Sequence, residues 1–380
     1  MMASAELGAL PDSVSSRKLN GWALLRPVGI LLAARLTMFL VFAMAKNLDH
    51  QIGQRPIWDG GWYLNAAELG WPHSVPTVDG HAAQSTLAFF PVFPLLIRAV
   101  HVVVPVSWGH AGAIAALGSE VAMAVALWVL ARDIFGDKVA DRSTLLLCFF
   151  PGAFIFALTY AEPLLIAFAA ICLYALRKRH WEVAGIMAAL ATATRPNGVA
   201  LVACCAWEAF GAIRARGEWR SLIALILAPA GIVAWFAYLW ATTGSRLAWL
   251  HTEQQGWGEQ IQPLAFLHLV AADRHHPFLF ANEYVPIIGT LAVAIMVLTA
   301  IPLRHRIPSV LIVFTGAILT MSLMSKTLGL RPRFVITAFP LIMVLGYRLR
   351  ETALGLVTAG FAALMAILLV VTVSTLVLTP

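Results

Sequence analysis

The sequence predicts an all-α polytopic membrane protein of about eleven transmembrane helices with two longer outer loops. Three observations carry that expectation. The 380 residues are 60% hydrophobic and 12% charged, where a soluble domain carries about 25% charge, and mean hydropathy is +0.82. Apolar runs of the length that crosses a hydrocarbon core, roughly 20 residues, recur through the chain. Basic residues gather in alternate short loops, as the positive-inside rule requires.

In order, the apolar segments are 24–45, 110–131, 143–159, 161–177, 182–196, 198–213, 221–242, 285–303, 307–325, 333–347 and 352–378. Residues 1–21 form a polar tail with no small-residue cleavage site behind a short apolar core, so the first segment reads as a retained anchor. With the N-terminus in the cytosol, the inner loops receive Arg17, Lys18, Arg26, Arg132, Lys138, Arg142, Arg177, Lys178, Arg179, Arg214, Arg216, Arg220, Arg304, Arg306, Arg348 and Arg350. The chain 1–380 reads as a single integral-membrane domain, with 46–109 and 243–283 as the two long loops on the outer face of the membrane. Both loops are aromatic, as interfacial segments are. Prolines interrupt Ser85–Arg98, which reads as a re-entrant or surface-lying helix packed under the preceding segment. The net charge of +7 is topological and implies no nucleic-acid partner. Cys148, Cys172, Cys204 and Cys205 fall inside apolar runs, without metal or disulfide spacing, and read as small core residues.

Candidate chemistry centres on the stretch Trp58-Asp59-Gly60-Gly61-Trp62-Tyr63, followed by Glu68. Asp59 stands among aromatic side chains of the kind that hold a sugar, although an Asp there also suits a helix cap. Glu162, in Tyr160-Ala161-Glu162-Pro163, lies at an outer turn, where satisfying helix ends or pairing with Arg195 is favoured over catalysis. Arg35, Arg195, Arg331 and Arg333 lie in spans or at their outer ends, where the inside rule gives them no purpose and an ionisable group is a functional hypothesis. An arginine fork suits a lipid phosphate. No HExxH or Asp-x-Asp pattern appears, and no GxGxxG or GxxxxGK[ST] loop, which excludes a nucleotide-sugar domain of the soluble type. No cofactor is required if arginines carry the phosphate charge, and a divalent ion stays open.

Trp58–Tyr63 with Ala67-Glu68-Leu69-Gly70-Trp71 resembles the opening loop of the phosphatidylinositol-glycan class V (PIG-V) type mannosyltransferases and their bacterial relatives. Phe89-Phe90-Pro91-Val92-Phe93-Pro94-Leu95-Leu96 is similar to that family's aromatic–proline motif. Tyr160–Pro163, Ala193-Thr194-Arg195-Pro196-Asn197-Gly198 and Arg331-Pro332-Arg333-Phe334 match further blocks in order. The resemblance covers residues 22 to 347. It implies a GT-C fold, a membrane glycosyltransferase using a polyprenyl-phosphate sugar, usually mannose, and an acidic residue of the first outer loop at Asp59. Tyr160–Pro163 departs from the usual Thr-Glu-Ser form after the tyrosine, and the chain is shorter than eukaryotic members, so the acceptor does not carry over.

The resulting expectation is an inverting hexosyl transfer to a lipid or glycan acceptor. Asp59 is the base, Trp58, Trp62 and Tyr63 position the sugar, and Glu68, Glu162, Arg195, Asn197, Arg331 and Arg333 bind substrate. The alternatives are a lipid-linked-sugar flippase, which should show internal repeats that are not visible here, and a non-catalytic envelope-assembly subunit.

Overall fold

The computed structural model describes residues 21–48, 58–262, 281–326 and 331–374. The polar tail, parts of both long outer loops (49–57 and 263–280) and residues 375–380 lie beyond the described residues. Within the described residues, each of the eleven predicted segments coincides with helix. The first eight α-helices are α1 (Leu25–Leu48), α2 (Trp58–Leu69), α3 (Val92–Val103), α4 (Trp108–Phe135), α5 (Asp137–Cys148), α6 (Glu162–Arg177), α7 (Trp181–Thr192) and α8 (Ala200–Arg216). Beyond them come Leu222–Leu227, Ala230–Thr243, Ala248–His251, Ala281–Ala300, Ser309–Leu323, Pro332–Val335, Pro340–Arg348 and Glu351–Ser374.

Among the described residues, five helices are long and apolar enough to cross a membrane, or six if one bent pair counts as a span. That pair is α5 with the 3₁₀ segment Pro151–Ala157, bent by 70°. The sequence predicts one continuous span there. Pro151 removes a backbone donor and opens the second piece, which explains the break. Segment 333–347 is divided in the same way, with Pro340 opening the second helix.

The core is a continuous apolar cluster in which Trp128, Leu173, Cys204, Phe314 and Phe339 are buried together. All four cysteines are free and buried within the protein. On α1 the side chains of Leu32, Leu36, Phe39 and Leu40 stay exposed, a helical i, i+4, i+7, i+8 stripe. Leu356, Leu364 and Ile367 on the last helix do likewise. Apolar faces of this extent turned away from a packed core are what a lipid environment covers. The chain is a multi-pass membrane protein.

Basic residues of the predicted inner loops pair at helix ends. Arg132 bonds Asp137 at 2.6 Å and Arg177 bonds Asp133 at 3.0 Å. Arg142 reaches Glu351 at 2.5 Å, and Arg220 reaches Glu182 at 2.8 Å.

Between α2 and α3 lies a small antiparallel ribbon, β1 (Thr77–Val78) and β2 (His81–Ala82). Asp79 (φ 52°) and Gly80 (φ 79°) form its turn, the positive-φ pair that an Asp-Gly hairpin favours. The proline-interrupted segment forms a 3₁₀ turn, Thr86–Ala88, and then α3, which packs against α2 as expected.

Candidate active site

Helix α2 presents its chemistry by spacing. Asp59, Trp62 and Tyr63 stand at i, i+3 and i+4 and so share a face. Glu68 is nine residues from Asp59, about 180° around the helix, and is exposed. Trp58 opens α2 with φ 39°, a left-handed conformation costly for a bulky residue. Its indole Nε1 donates to the Thr372 carbonyl at 3.5 Å, which ties this end of α2 to the last helix.

Tyr63 is buried, its ring meeting Phe89 and Phe93 edge-on at 4.9 and 5.2 Å. Burial pushes its hydroxyl up to about 12, with Arg195 pulling the other way. That hydroxyl accepts a hydrogen bond from Arg195 Nη1 at 3.2 Å.

Arg195 follows α7 and precedes the 3₁₀ turn Pro196–Val199, which holds a half-buried Asn197. Its Nη1 also lies 3.1 Å from Glu162 Oε1. Glu162 starts α6 with Pro163 beside it, a helix N-terminus favourable to a carboxylate. It is wholly buried, and Oε1 additionally accepts from Arg333 Nε at 2.5 Å. Pairing with Arg195 is one of the two roles, with satisfying helix ends, that the sequence favours for Glu162 over catalysis.

Arg333 links this pair to α2. Its Nη2 donates to Asp59 Oδ2 at 2.5 Å, and its guanidinium lies 4.6 Å from the centre of the Tyr160 ring, within cation–π range. The segment carrying it is wedged close to the Pro151–Ala157 turn. A Cβ added at Gly152 would sit 2.1 Å from the Pro332 carbonyl oxygen. Only glycine lets these two backbones meet, and that contact sets where Arg333 points. Arg331, two residues earlier, has its basicity lowered by burial and then by the Arg333 charge.

Asp59, Tyr63, Glu162, Arg195 and Arg333 thus form one connected cluster drawn from four chain segments. Asp59 is its most open member, with a quarter of its side chain exposed against none for Glu162 and 6% for Arg333. Two buried polar atoms in the cluster, Glu162 Oε2 and Arg195 Nε, have no hydrogen-bond partner among the described residues. Such atoms ordinarily find water or a ligand.

Trp62 is half-buried, stacked on Phe89 at 6.1 Å and edge-on to Trp257 at 5.6 Å. Glu253, in the turn that precedes Trp257, senses the Asp59 and Arg195 charges. It lies in the second long outer loop, and no local motif in the sequence marks it. Among the described residues, no group of three or more His, Cys, Asp or Glu side chains is placed to hold a metal ion.

No protein-family model matches the chain. No curated protein matches it either. Solved structures do. The apo crystal structure of ArnT from Cupriavidus metallidurans aligns over 95% of this chain and 66% of its own, with TM-score 0.57 and 15% identity. The same protein bound to undecaprenyl phosphate gives TM-score 0.55 over the same shares. The apo oligosaccharyltransferase of Archaeoglobus fulgidus aligns over 91% of this chain and 54% of its own, with TM-score 0.50 and 12% identity. The chain therefore spans just under two thirds of the ArnT length and about half that of the oligosaccharyltransferase. Identities this low speak to architecture alone, and the architecture they identify is a helical, GT-C-like membrane fold.

Proposed function

We propose that the chain is a membrane glycosyltransferase of the PIG-V-like mannosyltransferase type. It moves a hexose, mannose first among candidates, from a polyprenyl-phosphate donor to a lipid or glycan acceptor. The reaction inverts the anomeric centre and takes place at the outer face of a bacterial plasma membrane.

The observation that carries this reading is the convergence of Arg195 and Arg333 on Glu162, with Arg333 also reaching the partly open Asp59. Two arginine forks beside an accessible carboxylate suit a phosphodiester, the linkage of a polyprenyl-phosphate sugar. The fold supports a lipid-borne donor, since ArnT of the same architecture was crystallised with undecaprenyl phosphate.

In this reading Arg333 and Arg195 hold the phosphate, and its oxygens compete with Asp59 for Arg333 Nη2. Donor binding thereby releases the Asp59 carboxylate. The acceptor oxygen bonds to the anomeric carbon as the carbon–oxygen bond to phosphate breaks. The electron pair leaves with the phosphate, and the hydroxyl proton passes to Asp59. The arginines stabilise the charge that develops on the leaving group, the term that most often dominates, so no bound metal is needed. Trp62 remains open to a sugar. Tyr63 acts by orienting Arg195, and Asn197 borders the same turn.

The test is reconstitution of the purified chain in liposomes with radiolabelled polyprenyl-phosphate mannose or glucose and a lipid extract as the acceptor pool. Label transferred to extractable product is the expected result. Retention of all label on the donor with both sugars would refute the reading.

A further inference from the structure

A second polar surface meets the cluster from the segment Ala248–Gly258. It begins with the helix Ala248–His251 and continues as a π-turn, Thr252–Gly256, a rare conformation concentrated at functional sites. The turn is clamped on the β2 side. Gln255 Oε1 accepts from the Ala82 amide at 2.6 Å, and a Cβ at Gly256 would lie 2.9 Å from the Gln84 nitrogen. The clamp sets Trp257 edge-on against Trp62 and Phe89, at 5.6 and 5.9 Å. The Trp257 indole N–H is buried and has no partner among the described residues. The Glu253 carboxyl, half-buried, likewise has no hydrogen-bond or ion-pair partner among them.

We propose that Glu253, Trp257 and Trp62 form a subsite for a neutral, hydroxyl-rich acceptor, the sugar ring of a glycoside, beside Asp59. Its role as the acceptor side rests on the transferase reading above. An indole face and edge suit the apolar face of a sugar ring, and the indole N–H and the carboxyl supply hydrogen bonds to its hydroxyls.

Burial, then the negative charges of Glu259 and Asp59, push the Glu253 carboxyl up to about 8, against a smaller pull from Arg195. The other titratable groups on the packed elements are His81 of the ribbon and His251 on the preceding helix. Near neutral pH the carboxyl therefore keeps its proton and both donates and accepts, as hydroxyl groups do. Above about 8 it loses the donor and becomes a third negative charge beside Asp59 and Glu259, so saccharide binding weakens as pH rises.

The experiment is equilibrium binding of tritiated octyl mannoside to the purified full chain in lipid nanodiscs, which needs no donor. Glu253→Ala and Trp257→Ala should each weaken binding by about tenfold, the equivalent of one or two hydrogen bonds. Trp257→Phe, which keeps the ring packing without the N–H, should cost about threefold. Glu253→Gln imitates the protonated acid. It should lose no more than about threefold, and its affinity should stay level from about pH 7 to about pH 9, where the wild type falls by about tenfold. Unchanged binding in Glu253→Ala, or a pH profile in Glu253→Gln that follows the wild type, would overturn the subsite. So would transfer of sugar only to phosphatidylglycerol or to a peptide. Normal glycoside binding in a protein that accepts no polyprenyl-phosphate sugar would instead refute the transferase reading and leave the subsite standing.

Discussion

Two buried arginine–carboxylate assemblies can be compared within this one bundle. Arg35 on α1 pairs with the wholly buried Glu120 on α4, and its Nη2 also donates to the Phe156 carbonyl. That is one cation, one anion and a backbone acceptor, without a charge left over. The Arg333 assembly is built differently. It spans four segments, joins two arginines to two carboxylates and leaves Asp59 partly open. Both assemblies hold charge inside an apolar protein, where an isolated ion would be prohibitively costly. Burial of charge therefore does not identify a working site. Nor does an orphaned oxygen, since Glu120 Oε2, like Glu162 Oε2, lacks a partner among the described residues; the convergence of two arginines and two carboxylates from four segments is what sets the Arg333 assembly apart.

The largest effect expected from this contrast is on turnover at Asp59. Asp59→Asn keeps the volume and a hydrogen-bond acceptor for Arg333 but removes the base. Transfer should fall by about 10²–10⁴-fold, with the thermal midpoint near wild type and donor binding retained. Full turnover in the purified variant would move the base elsewhere in the cluster.

The comparison itself can be broken with paired variants. Arg35→Met or Arg333→Met alone strands a buried carboxylate and should cost about 3–5 kcal/mol of stability. Removing both partners of a buried pair is often neutral. Arg35→Met/Glu120→Leu should therefore recover both the thermal midpoint and transfer activity. Arg333→Met/Glu162→Leu leaves Arg195 and Asp59 without these partners and should recover neither the midpoint nor the activity. If the two double variants behaved alike in the transfer assay, the distinction between structural pair and phosphate clamp would be lost.

The sequence makes one half of this contrast legible and hides the other. Glu162, Arg195 and Arg333 each lie beside a proline at a predicted helix break, and the turn positions that such breaks create are visible in one dimension. The Glu162–Arg195 contact follows, because both turns fall on the same side in the charge alternation. The Arg35–Glu120 pair does not follow, since it joins residues 85 apart that sit mid-helix without a local signal. The 70° break at Pro151 is legible in hindsight as a proline inside an apolar run, and the ribbon turn as Asp79-Gly80. Trp58 reads as part of a sugar wall in sequence, yet its indole is used by Thr372, more than 300 residues away. Glu253 has no motif at all. What distinguishes it, the proximity of Asp59, exists only after folding.

A smaller effect should come from the backbone that aims Arg333. In Gly152→Ala the new methyl would meet the Pro332 carbonyl at 2.1 Å, and neither side of that contact is a flexible side chain. Displacing the Arg331–Arg333 segment should cost about 1–3 kcal/mol, the usual range for overpacking. It should also raise the KM for the donor more than it lowers kcat, because the phosphate ligand moves while Asp59 does not. A Gly118→Ala control, on α4 with no atom within 4 Å of its built Cβ, should be silent in both. Equal behaviour of the two alanines would mean that the Gly152 contact relaxes without moving the clamp.

The smallest effect is expected at Glu68, and it sharpens the assignment of faces on α2. Glu68 shares the helix and the motif with Asp59, but half a turn of the helical wheel separates them. Asp59 meets Arg333, while Glu68 is exposed. Neutralising an exposed carboxylate away from caps and buried pairs ordinarily changes stability by less than about 0.5 kcal/mol. Glu68→Gln should therefore leave the thermal midpoint unmoved within error and turnover within about twofold, under the same donor conditions in which Asp59→Asn is nearly inactive. A tenfold loss in Glu68→Gln would place substrate on the far side of α2. The charged cluster at Arg333 would then have to be reinterpreted as a second structural pair of the Arg35 kind.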